Sequence, residues 1–116
     1  MSDVPPPGLI LASASQVRAR LLEGARVPFT VQVSQVDEDH IKDALAGQGV
    51  DAIAARLAEE KARAIAGDHG DDLIIGADQI LECEGRLFDK PRDRAGAASH
   101  LRELRGRAHR LGTAAA

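Results

Sequence analysis

The apolar pattern begins with Leu9, Ile10 and Leu11, a short unbroken run that follows Pro5, Pro6, Pro7 and Gly8. Such a run predicts a buried strand ending near Ala12, behind a flexible, extended leader over residues 1–8. Ser13 and Ser15 then stand as candidate helix caps, and Val17, Leu21, Leu22 and Ala25 recur at helical spacing until Gly24 and Pro28 break it. Phe29, Val31 and Val33 alternate with Thr30 and Gln32, the period of a half-buried second strand. The acidic stretch from Asp37 to His40 opens a short helix that Gly47 and Gly49 end. A longer helix is expected from about Asp51 to Ala66, its apolar stripe marked by Val50, Ile53, Leu57 and Ala64.

Leu73, Ile74 and Ile75 form a second buried run, and the strand it predicts ends at Asp78. Beyond it, Ile80-Leu81 and Arg86-Leu87 flank Glu84-Gly85 as a hairpin. Asp93 to Leu104 reads as a helix with Ala97, Ala98, Leu101 and Leu104 on one face, stopped by Gly106, and a last strand starts at His109. Alternating strands and helices predict an α/β layer fold, a mixed sheet flanked by helices, in one domain over residues 9–116. The closing HRLGTAAA carries neither a turn signal nor a polar tail, so the expectation is the N-terminal part of a truncated domain.

Composition narrows the function. About a quarter of the 116 residues are Leu, Ile, Val or Phe, enough for a lean core. Two Phe, one Met and no Tyr or Trp argue against a haem box or a stacking platform for single-stranded nucleic acid. The single cysteine, Cys83, rules out an internal disulfide framework and a multi-cysteine zinc site, and is expected as a buried small hydrophobe. No apolar run approaches the length of a membrane span, and MSDVPPPG lacks the pattern of a signal peptide, so a cytoplasmic location without membrane contact is expected. A net charge of −3 with no basic block points away from nucleic acid and towards small-molecule chemistry.

Five places carry candidate chemistry. At the strand–SAS–helix junction, Ser13, Ser15, Arg18 and free backbone N–H groups suit an anion, above all phosphate; the alternative is an ordinary serine cap beside a solvated arginine. Lys61 lies on the apolar stripe of the long helix, either snorkelling along its edge or set at a ligand cleft. Asp78 follows LIIGA at the end of a buried strand, where α/β proteins build sites, although Asp also starts turns readily. Lys90, held extended by Pro91, reaches the same cleft or decorates a loop. Glu38 joins Asp78 on a hard divalent cation, or caps its helix. His40, His69, His100 and His109 show no paired ligand spacing and read as surface or structural residues.

Taken in order, LILASAS…R…LL, the acidic VDED, the LAEEKA helix, GADQ and FDKPRD closely resemble the Maf family of nucleoside triphosphate pyrophosphatases, from about Leu9 to Thr113. The resemblance implies a fold like that of the inosine triphosphate pyrophosphatases, an elongated sheet with a central cleft. It implies cleavage of a nucleoside triphosphate to monophosphate and pyrophosphate with Mg²⁺ or Mn²⁺. Ser13, Ser15 and Arg18 would bind phosphate, Glu38 and Asp78 would support metal and water, and Lys61 and Lys90 would neutralise charge. Asp78 takes the family's proton-acceptor role. SQVR stands where pyrimidine-specific members usually carry SPRR, and GADQ where they carry GADT. Val17 and Gln79 therefore resemble the branch acting on 7-methylguanosine triphosphate. Action on dTTP or UTP, and a non-catalytic, nucleotide-binding role in septum formation, remain alternatives. An open sheet edge would also gain from pairing in a homodimer.

Overall fold

The computed structural model describes residues 8–67, 70–88 and 93–116. The elements in chain order are β1 (Leu9–Ala12), α1 (Gln16–Gly24), β2 (Thr30–Val31), α2 (Glu38–Ala44), α3 (Val50–Ala66), β3 (Leu73–Cys83), β4 (Arg86–Phe88), α4 (Arg94–Leu104) and β5 (His109–Ala115). The mixed sheet flanked by helices agrees with the α/β expectation, and the molecule is elongated, 61 × 31 × 21 Å. The proline leader falls almost wholly outside the described residues.

β3 organises everything else. Its first part pairs in parallel with β1, from Leu9↔Leu73 to Ala12↔Gly76. From Ala77 to Cys83 it pairs antiparallel with β5, and from Leu81 to Cys83 also with β4. The apolar run does not stop at Asp78, as its composition suggests; the strand runs straight through, because β5 arrives to hydrogen-bond the polar stretch. Asp78 thus sits in mid-strand. Nor is the apolar run the buried part: Leu73 is exposed and Ile74 and Ile75 are half-buried, whereas Gly76, Ala77 and Asp78 are buried. The β3–β4 hairpin forms where expected, with positive φ at both Glu84 (52°) and Gly85 (81°), the backbone that a two-residue turn between twisted strands requires.

Side chains alternate along β3, and Ile74, Gly76, Asp78 and Ile80 share the face covered by α3. Val50, Ile53, Ala54, Leu57 and Ile80 form one buried cluster, and Ile10, Ala12 and Ile65 a second, against which Ile74 packs. The stripe of α3 ends on Ile65; Ala64 is exposed. Each aliphatic side chain fully removed from water here stabilises by about 1.5–3 kcal/mol. The two clusters meet at Gly76, where a Cβ would lie 1.9 Å from the Ala58 carbonyl oxygen and 2.8 Å from the Ala62 nitrogen. Glycine is what lets α3 lie flat on the strand.

Elsewhere the apolar pattern predicts elements better than burial. α1 forms as expected but is rolled so that Ser15, Arg18, Ala19 and Leu22 face inward, leaving Val17 and Leu21 exposed. The expected second strand shrinks to two exposed residues. In α4 the inward face carries Ala97, His100 and Leu104, and Leu101 is 70% exposed. Cys83 is buried as expected, its Sγ 3.5 Å from the Ala108 carbonyl oxygen.

Candidate functional site

Among the described residues, those of β3 between Gly76, the last partner of β1, and Leu81, the first partner of β4, pair only with β5. Gly76 directs both its backbone groups to Ala116. The next carbonyl, that of Ala77, therefore faces the other edge, and there it accepts a hydrogen bond from Arg18 Nη1 at 3.2 Å. The same nitrogen donates to Ser13 Oγ at 2.9 Å. Ser13 Oγ also accepts from the Ser15 backbone N–H, and Ser15 Oγ caps α1 through the Arg18 N–H. Ser15 is a helix cap, and buried Ser13 fixes the arginine that emerges from the first turn, which is therefore not the solvated arginine of an ordinary cap.

Lys61 projects from α3 into this gap. Its Nζ lies 2.8 Å from Asp78 Oδ1 and 2.9 Å from Glu38 Oε1. Glu38 arrives by helical geometry. On α2 it shares the inward face with Ile41 and Leu45, which pack on the α3 core, while Asp37 caps the helix through the His40 N–H. Burial alone pulls the Lys61 ammonium towards deprotonation, but its hydrogen bonds and charge pairing with Asp78 and Glu38 outweigh this and hold its pKa above the ordinary lysine value. Lys61 is therefore a fixed cation at neutral pH, unsuited to act as a base. Asp78 is only 8% exposed, and its second oxygen, Oδ2, is buried with no hydrogen-bond partner among the described residues.

Ser13, Ser15, Arg18, Glu38, Lys61, Asp78 and Gln79 all line one cavity of about 710 Å³. A 330 Å³ hollow adjoins it at Ser13, Ala14, Glu38 and Lys61. Seven of the expected site residues thus converge. Val17 does not: it is 65% exposed and is not part of either lining. Lys90 and His69 lie outside the described residues. Sequence reasoning missed Asp39, Lys42, Leu81, Phe88, His100 and Leu111, which also line the larger cavity. His100 was detectable, since Ala97, His100 and Leu104 also keep helical spacing one position away from the face marked by Leu101. Among the described residues, no group of three or more His, Cys, Asp or Glu side chains is placed to hold a metal. Also among them, no helix is long and apolar enough to cross a membrane.

A strand edge left open between β1 and β4 among the described residues, an arginine-bearing loop–helix junction and a lysine-bridged carboxylate pair define an α/β protein with a charged cleft. The chain belongs to the Maf family: the family model described as "Maf-like protein" matches residues 8–116. It is 48% identical over 111 residues to a nucleoside triphosphate pyrophosphatase of Nitrobacter hamburgensis, covering 96% of this chain and 55% of that protein. A protein of the same name from Rhodospirillum rubrum is 47% identical over 116 residues, 98% of this chain and 57% of the relative. Another, from a Ruegeria species, is 45% identical over 109 residues, 92% and 55% respectively. The chain spans about half the length of these curated relatives.

Proposed function

We propose that this chain carries the phosphate-handling part of a nucleoside triphosphate pyrophosphatase, which hydrolyses a nucleoside triphosphate to the monophosphate and pyrophosphate in cytoplasmic house-cleaning of modified nucleotides. The observation that carries this reading is the Glu38–Lys61–Asp78 bridge facing Arg18 and Ser13 across one cleft. The names of the relatives support it.

Water attacking an anionic phosphorus needs a base and nearby positive charge. Asp78 offers the base. Lys61 holds and orients its carboxylate through Oδ1. Arg18 and Lys61 supply fixed cations for the triphosphate, and Lys90 is proposed as a third. Ser13 keeps the guanidinium from swinging into solvent. Glu38 and the buried, unpartnered Asp78 Oδ2 fit a hard divalent cation such as Mg²⁺ or Mn²⁺, which characteristically takes one or two protein carboxylates and completes its shell with phosphates and water. When bound, such an ion would neutralise charge developing on the phosphates. Gln79, on the cavity wall, supports 7-methylguanosine triphosphate as the preferred substrate.

The test is chromatography of products after incubating the purified chain with Mg²⁺ or Mn²⁺ and 7-methyl-GTP, GTP, dTTP or UTP. Equimolar monophosphate and pyrophosphate, greatest from 7-methyl-GTP and lost in Asp78→Asn, is the expected result. A folded chain that binds no triphosphate overturns the reading. Binding without turnover in any nucleotide favours a regulatory role instead.

A further inference from the structure

The cavity has two chemically different walls. Ser13, Arg18, Glu38, Lys61 and Asp78 make one of them charged and hydroxylic. The other is built by strand register. Leu81 is the cross-strand partner of Phe88 on β4 and of Leu111 on β5, so the three side chains rise in one row from the same face of the sheet. That face is opposite the one α3 covers, because Asp78 and Ile80 point towards the helix and Gln79 and Leu81 away from it. Beside the row, Gln79 donates to Thr113 Oγ1 at 3.0 Å.

The far end of the row is closed by aromatic contacts. The His100 ring meets Phe88 edge to face, with centroids 5.1 Å apart and planes at 82°. The Arg86 guanidinium lies 4.9 Å from the Phe88 ring centre and is itself paired with Glu103. Phe88 is thereby held in one orientation with its neighbouring charge neutralised. Leu111 is 57% exposed, so the row is an open ledge. A ledge of this kind, continuous with a cleft that presents Arg18, Lys42 and Lys61 beside carboxylates able to share a cation, matches a ligand that is polyanionic at one end and flat and apolar-faced at the other.

On the reading of the cleft as a triphosphate site, we propose that Leu81, Phe88 and Leu111, backed by His100, form the subsite on which the nucleobase rests. The triphosphate then crosses β3 at Ala77–Ile80, on the edge opposite β5, phosphates on the Arg18 and Lys61 side and base on the opposite face. Stacking on an apolar or aromatic surface is tolerant of base identity, so the ledge distinguishes nucleotides from bare polyphosphates.

Calorimetric titration of the full chain with inorganic tripolyphosphate and with the α,β-methylene analogues of GTP and UTP tests this. Phe88→Ala and Leu111→Asn are expected to weaken both analogues about tenfold while changing tripolyphosphate affinity less than about twofold. Leu111 is largely exposed, so its replacement keeps the test valid if Phe88→Ala fails to fold, as judged by circular dichroism. Unchanged analogue affinity in the folded variants overturns the subsite, as does an equal loss for tripolyphosphate and analogues. If the unaltered chain binds the analogues no better than tripolyphosphate, the subsite fails while the phosphate cleft stands. If it binds neither, the reading of the cleft fails first.

Discussion

The α3–β3 layer and the α1–β2 layer are built from similar apolar patterns and behave differently. α3 buries six of its residues against β3 and its neighbours, with glycine at the crossing; α1 buries none, and β2 pairs by two exposed residues. The difference lies in what each faces. The long strand offers α3 a continuous partner, whereas α1 is steered by polar contacts, Arg18 to Ser13 and to Ala77. The candidate site draws on both layers. Lys61 and Asp78 come from the tightly packed one, and Arg18 and Ser15 from the one held mainly by hydrogen bonds.

The sharpest way to break this contrast is Gly76→Ala. Backbone atoms of α3 occupy the space a methyl group needs, so a loss of about 3 kcal/mol or more, or failure to fold, is expected in thermal unfolding. A near-neutral result would show that α3 can lift off the strand. Lys61→Gln comes next, at about 2 kcal/mol, below the range for a fully buried pair because the lysine side chain is 18% exposed at the cleft. Its pH dependence has a definite sign. The folded-state pKa of Lys61 is raised, so the contribution is fully present below the unfolded value of about 10.4 and is lost as pH climbs through the folded value. Urea midpoints of the parent chain and Lys61→Gln should therefore differ by a constant amount at neutral pH and converge in strong alkali; a gap that closes near neutrality would contradict the assignment.

Smaller effects belong to the other layer. Ser15→Ala removes the cap of α1 and should cost about 1 kcal/mol, measured by chemical denaturation. Leu21→Ser should change stability by less than about 0.5 kcal/mol, since Leu21 is 69% exposed. A loss several times larger would show that the outer face of α1 is covered in solution.

The same contrast explains what the sequence revealed. Apolar periodicity located β1, α1, α3, the hairpin and β5 because those signals are local. It also singled out Lys61 and Asp78, a cation on an apolar stripe and a carboxylate after an apolar run, since each breaks a pattern. What it misread depends on partners distant in the chain. Asp78 looks like a strand end because its continuation is stabilised by β5, more than thirty residues later. Val17 looks like an inward residue because nothing nearby signals that Arg18 reaches Ala77. Phe88, Leu81 and Leu111 form a row only through strand register, which no single segment encodes.

The spacing of these partners also orders the site in time. Lys61 and Asp78 are 17 residues apart, on a helix and the strand that directly follows it, so their contact closes a short loop. Arg18 and Ala77 are 59 residues apart, and their contact waits for β1 to insert beside β3. Because loop closure grows costlier with separation, the carboxylate–lysine half is expected to assemble early and the arginine–serine half late. The grip on a polyanion would then be completed only once β1 is in place, and anion binding becomes a reporter of the last folding step.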